Sequence, residues 1–152
     1  MKIVINKCYG GFGLSSIALS RYAELKWGKK IYFFRGGFSG QYKPVDSDES
    51  GLFITAFDIP NPNDFIGNRN NCKEMTPEER VEENNWCKEH FVNDNEIERD
   101  DPILIQVIEE LGNDASGKCA ELSIVEIPDN VEWEIEEYDG IEWISEIHRT
   151  WS

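Results

Sequence analysis

The start of the chain passes from an apolar run to a glycine-rich run and then to a run with helical spacing. Ile3-Val4-Ile5 is a short apolar run of the kind that is typical of a buried strand. Ser15 stands where a helix N-cap is expected, apolar residues recur at roughly helical spacing after it, and Gly28 ends the run. The pattern therefore predicts a strand over residues 2–8, a glycine-rich turn and a helix.

A second apolar run, at residues 31–35, is rich in aromatic side chains and predicts another strand. A strand, a helix and a second strand in this order indicate a βαβ unit, in which the two strands run parallel. Glycines follow both strands, at residues 9–13 and 36–40. The carboxyl ends of parallel strands lie at the same edge of a sheet, so we expect these two loops to emerge on the same side. Ligands bind at this edge in such folds.

Two further helices are predicted in the second half of the chain. Thr76 and Pro77 form a helix start with acidic residues in the first turn, and this mostly charged helix is expected to end near Phe91. A second start at Asp100-Asp101-Pro102 precedes a run with apolar residues on one face, which Gly112 closes. The dense charge of the first of these helices indicates a peripheral position.

Apolar residues near the end of the chain predict two more strands and a closing helix. The strands cover residues 120–127 and 131–136, and the second carries glutamates on one side. The closing helix is predicted over residues 141–147. We therefore expect an α/β or α+β fold, with a mixed sheet of about four to six strands, flanking helices and an acidic insertion. A single domain is expected over residues 1–152, with residues 44–99 as an insertion or lid.

Charge is distributed unevenly along the 152 residues. The net charge is −15, yet the first 45 residues contain eight basic residues and one acidic residue. A strongly acidic protein repels nucleic acid backbones, so we expect no direct nucleic acid binding. The basic first third can instead attract a small phosphorylated ligand, or it can pair internally with the acidic remainder.

The two glycine-rich loops and the basic residues beside them form the predicted ligand site. Backbone N–H groups at a glycine turn before a helix bind anions, and arginine binds phosphate in a bidentate manner, while aromatic rings stack on bases. The glycine spacing matches neither a Walker A loop nor the dinucleotide fingerprint, and a tight turn without a ligand remains the alternative. The predicted ligand-binding residues are Lys7, Cys8, Tyr9, Gly10, Gly11, Phe12, Gly13, Ser15, Arg35, Gly36, Gly37 and Phe38.

The cysteines and histidines give weak signals for catalysis or metal binding. Cys8 lies beside the glycine turn, but only His90 and His148 are available as a base. Cys72, Cys87 and His90 would supply three zinc ligands, but their spacing matches no standard zinc pattern. We therefore expect no catalytic residue, no metal site and no cofactor.

Hydropathy and aromatic content bear on location and assembly. The chain contains no apolar run long enough to span a membrane and no secretory signal pattern at its start, so we expect a cytosolic protein that does not bind membranes. Aromatic residues make up 12% of the chain and are dense at residues 32–38. Because a core of this size cannot hide them all, we expect a homo-oligomer.

Three segments resemble a family of small bacteriophage proteins of uncharacterised function. They are KCYGGFGLS at residues 7–15, IVEIPDNVEWEIEEYDG at residues 124–140 and HRTW at residues 148–151. Residues 44–99 do not share in the resemblance. It implies a phage origin, a location in the host cytoplasm, and an accessory role that acts on host machinery or on host nucleotide signals.

Three functions from different classes remain open on the sequence. The first is a binding module that sequesters a small phosphorylated ligand, such as a nucleotide immune signal of the host. The second is an acidic protein–protein inhibitor that mimics nucleic acid against a host nuclease or CRISPR effector. The third is a nucleotide-processing enzyme. We rank them in this order, because the glycines and basic residues converge on one predicted site and no pair of base and nucleophile is visible.

Overall fold

The elements of the fold are described by a computed structural model over residues 1–36, 42–46, 54–60, 62 and 76–147. In chain order they are β1 (Lys2–Asn6), α1 (Ser16–Trp27), β2 (Tyr32–Gly36), β3 (Tyr42–Val45), β4 (Ile54–Phe57), α2 (Pro77–His90), α3 (Pro102–Leu111), β5 (Leu122–Glu126), β6 (Trp133–Tyr138) and β7 (Ile141–Glu146). Short 3-10 turns lie at Asp94–Glu96 and Gly112–Ala115.

The capping residues expected from the sequence begin and end the helices. Ser15 Oγ accepts a hydrogen bond from the N–H of Ala18 at 3.2 Å, and Gly28 ends α1 with a φ of 62°. Asp101 begins α3, since its Oδ1 accepts a hydrogen bond from the N–H of Ile103 at 2.8 Å. These contacts satisfy N–H groups that have no acceptor inside the helix. The predictions of α1, α2 and α3 are confirmed.

The strands form three small antiparallel sheets, not one mixed sheet. β1 pairs with β5, β2 lies between β3 and β4, and β6 pairs with β7. The mixture of helices and strands confirms an α+β fold, and the strands predicted near residues 2–8, 30–35, 120–127 and 131–136 are present. The parallel βαβ unit is wrong, because β1 and β2 are not neighbours in any sheet of the described residues.

Arg99 and Glu142 occupy the edge of β1 that does not pair with β5, which explains why β2 does not pair there. The N–H of Val4 donates to the carbonyl of Arg99 at 2.9 Å, and the Arg99 guanidinium donates to the carbonyl of Val4 at 3.3 Å. The N–H of Asn6 donates to Glu142 Oε1 at 2.8 Å. The backbone groups that a parallel β2 would need are therefore already satisfied.

After β6 the chain turns into another strand, so the predicted closing helix is wrong. Asp139 and Gly140 have φ values of 52° and 92°, which suit the tight turn that joins two hairpin strands. β7 then runs antiparallel to β6, with Ile135 opposite Ile144. The apolar spacing of residues 141–147 also fits a helix, and the Asp-Gly turn together with cross-strand pairing decides in favour of the strand.

The hydrophobic core joins the first two sheets through α1 and α3. Val4 of β1, Leu19 of α1, Phe33 of β2 and Leu104 of α3 belong to one buried cluster. Full burial of a side chain of this size stabilises the fold by about 1.5–3 kcal/mol. The core therefore fixes β1 and β2 relative to α1, although the two strands lie in different sheets.

Part of the predicted insertion packs on the same framework. Phe57 of β4 lies against Trp86 of α2, with ring centroids 5.6 Å apart. Asp58 Oδ1 lies 2.8 Å from His90 Nδ1, which ties the end of β4 to the end of α2. The behaviour of residues 44–99 as an insertion or lid stays a prediction.

Candidate functional site

The glycine turn after β1 is closed by two other segments of the chain. Gly10 and Gly11 have positive φ values of 117° and 94°. A Cβ atom added at Gly10 would lie 2.8 Å from the carbonyl oxygen of Cys119, and one added at Gly140 would lie 2.6 Å from the amide nitrogen of Gly10. Only glycine permits such a close approach of backbones. The β6–β7 turn therefore lies against the backbone of Gly10 and Gly11, where the sequence predicts a bound phosphate.

The side chain of Asn6, which is fully buried, holds this turn in place. Its Nδ2 donates to the carbonyls of Cys8 and Gly140, both at 2.7 Å. Its Oδ1 accepts from the N–H of Cys8 at 3.3 Å and from that of Glu121 at 2.8 Å. An amide side chain with all four hydrogen bonds made gives a rigid junction. The turn and its glycines thus have a structural role at this junction.

Arg99 lies beside the turn, although the sequence analysis did not select it. Its guanidinium pairs with both oxygens of Glu142, at 2.6 Å and 2.9 Å, and lies 3.6 Å from the ring centroid of Phe12. Glu142 is only 8% exposed, so the ion pair is largely buried. The charge of Arg99 is therefore neutralised inside the molecule, and Phe12 stacks on this cation.

The other members of the predicted site are scattered around the turn and along β2. Lys7 and Tyr9 are exposed, Cys8 is a half-buried free cysteine, and the carbonyl of Gly13 accepts a backbone hydrogen bond. Gly36 ends β2. The last two members of the predicted site lie outside the described residues: Gly37 and Phe38.

A cavity of about 520 Å³ lies at the N-terminal end of α1. Ser15 lines it, so the structure places one predicted site residue there. The apolar part of the wall includes Leu19 of α1, Phe33 of β2, and Phe91, which follows α2. Sites for small molecules are typically concave, about 300–1,000 Å³ in volume, and mostly apolar with a few polar groups. The cavity lies within this range of volume, but about half of its lining residues are polar or charged.

The first turn of α1 borders the cavity with residues whose backbone N–H groups lie at the start of the helix. Ser16 and Ile17 line it, and the N–H groups of this first turn have no acceptor inside the helix. Ser15 Oγ accepts a hydrogen bond from the N–H of Ala18. This capping bond does not involve the N–H groups of Ser16 and Ile17. The helix dipole adds partial positive charge at the same end.

Charged side chains of both signs line the cavity near this helix end. Asp94 Oδ2 accepts a hydrogen bond from the N–H of Leu14 at 2.8 Å, which holds the carboxylate in place. Asp114 and Lys118 line the cavity as well, and both are exposed. The lining therefore offers acceptors for hydroxyl groups as well as one cation.

Arg35 lies on the strand that forms one wall of the cavity. Alternate side chains of a strand share a face, so Arg35 lies on the same face of β2 as Phe33. Its neighbour across the sheet is Ile54, which also lines the cavity. The sequence pattern predicts that Arg35 meets the glycine turn at the edge of a parallel sheet. The antiparallel sheets place it instead on the face that borders the cavity.

Among the described residues that line the cavity, Ser15 is the one that was predicted as a site residue, and those missed include Phe91, Asp94, Asp114 and Lys118. They come from the connection after α2 and from the turn after α3. No local pattern marks them, because each lies in an irregular segment and none belongs to a motif with fixed spacing. Only the packing of α1 against α3 and β2 brings these segments to one place.

The described residues contain no group of three or more histidine, cysteine, aspartate or glutamate side chains that could hold a metal ion. Cys72 and His148 lie outside these residues, and the Cys87 side chain is likewise not described. His90 Nδ1 lies 2.8 Å from Asp58 Oδ1, an arrangement that orients the imidazole ring. The zinc alternative therefore stays a prediction from sequence.

Two expectations about environment and assembly meet different outcomes. Among the helices in the described ranges, none is both long and apolar enough to cross a membrane. The aromatic side chains that suggested a homo-oligomer include Phe33 and Phe34, which are 5% and 2% exposed. These two rings are hidden within the chain itself, so self-association stays a prediction without their support.

Comparison with known proteins gives no relative from which a function can be transferred. No protein-family model, no curated protein and no solved structure matches the chain.

Proposed function

We propose that the protein binds a small phosphorylated ligand of mononucleotide size in the cavity at the N-terminal end of α1. The observation that carries the proposal is the cavity itself, whose volume of about 520 Å³ combines apolar walls with backbone donors at a helix start. Of the predicted site residues, Ser15 lines this cavity, and Arg35 lies on the same face of β2 as Phe33, which also lines it. It does not use the amide groups of Gly10 and Gly11, against which the β6–β7 turn packs.

The phosphate group is assigned to the helix end. The N–H groups of Ser16 and Ile17 provide directed donors, and the helix dipole favours an anion at this position. Lys118 lines the same cavity, and Arg35 borders it on β2. Backbone donors together with a guanidinium are a common combination in phosphate sites.

The nucleoside part is assigned to the apolar wall and the carboxylates. Phe33 and Phe91 provide aromatic surface against which a planar base packs. Asp94 and Asp114 accept hydrogen bonds from ligand hydroxyl groups, as acidic residues do with ribose in dinucleotide-binding folds. The same carboxylates repel additional phosphates. A nucleoside monophosphate should therefore bind more tightly than the corresponding triphosphate.

Isothermal titration calorimetry with a nucleoside, its monophosphate, its triphosphate and cyclic nucleotides tests the proposal. Arg35→Ala should weaken binding of the monophosphate about tenfold to a hundredfold, which corresponds to the loss of one hydrogen bond to a charged group. Lys29→Ala is the matched control. It removes one exposed positive charge that does not line the cavity, and it should change the affinity by less than about twofold.

A second variant tests the helix end without disturbing the fold. Ser16→Pro removes one N–H group at the first helical position, where proline is well tolerated. Ser15 already has φ −65° and ψ 160°, the conformation favoured before proline. Binding of the monophosphate should fall while the thermal melt stays unchanged. No binding by any compound, or affinities unaffected by both Arg35→Ala and Ser16→Pro, would contradict the proposal.

We further propose that the bound ligand is sequestered and not converted. Within the described residues, no cysteine or histidine lines the cavity, so no nucleophile of the cysteine type meets a histidine base there. In the phage setting implied by the sequence resemblance, sequestration of a host nucleotide signal would be a direct use of such a site. Mass spectrometry should recover the ligand unchanged after incubation, and a converted product would favour the enzyme alternative.

A further inference from the structure

The β6–β7 hairpin has an inner face that packs on the molecule and an outer face that no described residue covers. Cross-strand pairs place Glu136 opposite Trp143, and Glu134 opposite Ser145, on the outer face. The inner face contains Glu142, which is buried by its pairing with Arg99. Because side chains alternate along a strand, these two sets belong to opposite faces.

The outer face combines large aromatic side chains with ordered carboxylates. Tyr138 is 73% exposed and Trp143 is 43% exposed. The indole N–H of Trp143 donates to Glu136 Oε2 at 2.9 Å, and the hydroxyl of Ser145 donates to the same oxygen. These hydrogen bonds, that of Ser145 first, lower the pKa of Glu136 and hold its charge in a fixed position. Exposed tyrosine and tryptophan are typical anchors of protein interfaces.

The hairpin is held rigidly although it forms only a two-stranded sheet. Glu142 pairs with both nitrogens of the Arg99 fork, and the Gly140 carbonyl accepts from Asn6 Nδ2. These contacts lie on the inner face and at the turn, so the outer face keeps a defined orientation. A surface that is ordered before binding loses less conformational freedom when a partner docks.

The charge of this region points to a basic partner. Residues 119–147 contain ten acidic residues and no basic residue. No ion pair within the described residues involves Glu134, Glu136 or Glu137. A second copy of the chain is a poor partner for this face, because a chain with a net charge of −15 offers few basic residues to its carboxylates.

We propose that the outer face of the β6–β7 hairpin docks onto a basic protein surface of the kind that binds a nucleic acid backbone. Glu134 and Glu136 occupy the place of phosphates, and Tyr138 and Trp143 supply apolar anchors that a nucleic acid backbone lacks. The partner therefore presents arginine or lysine residues beside an apolar pocket. This docking surface is distinct from the cavity at α1, and neither proposal depends on the other.

Displacement of DNA from basic proteins tests this surface. The probes are purified bacterial DNA-binding proteins with isoelectric points above about 9, each bound to a short fluorescent DNA duplex. The wild-type chain should displace DNA from at least one of them, and the effect should weaken as salt is added. Glu134→Gln combined with Glu136→Gln should raise the concentration needed about tenfold. Tyr138→Ser should have a similar effect.

Matched substitutions on α2 test whether DNA displacement depends on the outer face of the hairpin or only on the acidity of the chain. Glu78→Gln combined with Glu82→Gln removes the same two charges from exposed positions, and Val81→Ser shortens an exposed apolar side chain. Both controls should change displacement by less than about twofold. Equal weakening by the α2 and hairpin variants would overturn the proposal, as would failure of the wild-type chain to displace DNA from any probe. A dimer in light scattering that the hairpin variants abolish would identify a second copy as the occupant and also overturn it.

Discussion

At the scale of single residues, Gly140 joins two parts of the chain that lie about 130 residues apart. Its φ of 92° completes the β6–β7 turn, and its missing side chain lets the turn lie against Gly10 and Gly11. Gly10 therefore serves backbone packing, since an added Cβ would lie 2.8 Å from the carbonyl oxygen of Cys119, whereas nothing lies within 4 Å of a Cβ added at Gly11. Close packing of backbones thus accounts for Gly10 and Gly140.

A comparison of two glycine substitutions tests this role. Gly140→Ala should lower the free energy of unfolding by about 2–5 kcal/mol, because a positive φ costs about 1–2 kcal/mol and overpacking about 1–3 kcal/mol more. Gly28→Ala should cost only about 1–2 kcal/mol, since Gly28 also has a positive φ but nothing lies within 4 Å of an added Cβ. Urea unfolding measures both values. Equal losses of unfolding free energy in the two variants would show that the β6–β7 turn does not pack tightly against Gly10 and Gly11.

At the scale of elements, side chains attach the β6–β7 hairpin to β1. Asn6 reaches the turn, and the Arg99–Glu142 ion pair fills the edge of β1 where another strand would otherwise pair. An ion pair in this position is directional and specifies one arrangement of the hairpin. The hairpin therefore depends on partners that lie far away in sequence.

A double-mutant cycle on this ion pair measures how strongly it couples the two elements. Arg99→Ala should destabilise the protein by about 3–5 kcal/mol, since it leaves the buried carboxylate of Glu142 without its cation. Removing both partners in Arg99→Ala combined with Glu142→Ala should cost much less than the sum of the single changes. Hydrogen exchange should also speed up in β6 and β7 of Arg99→Ala. Additive costs would indicate that the two side chains act independently.

The N-cap of α3 gives a pH-dependent contribution to stability. Burial alone would raise the pKa of Asp101, but hydrogen bonds from Tyr22, from the N–H of Ile103 and from Lys26 outweigh it, and the net pKa is lowered. A carboxyl whose folded pKa is lowered stabilises the protein above its unfolded pKa of about 3.9 and loses that contribution as the pH falls through the folded value.

Asp101→Asn tests this contribution, because the amide retains an oxygen for the cap but loses the charge. The variant should be less stable than wild type by about 1.5–3 kcal/mol at pH 7, in the range of hydrogen bonds to a charged group. The difference should stay constant down to about pH 5 and shrink below about pH 4, where the unfolded chain takes up the proton. Chemical denaturation at a series of pH values measures it. A stability difference between Asp101→Asn and wild type that grows as the pH falls would contradict a lowered pKa of Asp101.

At the scale of the whole molecule, two features of the surface lie in different places. The cavity lies at the start of α1 and borders β2, both in the basic first third of the chain. The acidic outer face belongs to the β6–β7 hairpin, at the other end of the sequence. The cavity and the hairpin face are therefore two distinct surfaces, although the charged residues that line the cavity in the described part of the chain, Asp94, Asp114 and Lys118, follow the basic first third. The two proposals can be tested independently by the variants given above.

Much of the local structure could be predicted from the sequence, because it depends on neighbouring residues. Ser15, Gly28, Asp101 and Pro102 act on the backbone within one turn of a helix, so the ends of α1 and the start of α3 follow from residue type and spacing. The apolar runs of β1, β2, β5 and β6 likewise determined strands. The closing helix failed because its spacing fits both periods, and a strand partner decides between them.

The sequence by itself determined the helices α1, α2 and α3, the strands β1, β2, β5 and β6, a fold that mixes helices with strands, and the separation of basic from acidic segments. The tertiary structure decided which strands pair, because an edge of β1 filled by Arg99 and Glu142 excludes β2. It also decided the site, since Ser15, Phe33 and Asp94 line one cavity only after α1, β2 and the segment following α2 pack together. Local patterns act over a few residues, whereas pairing and cavities arise from contacts between segments that are far apart in the chain.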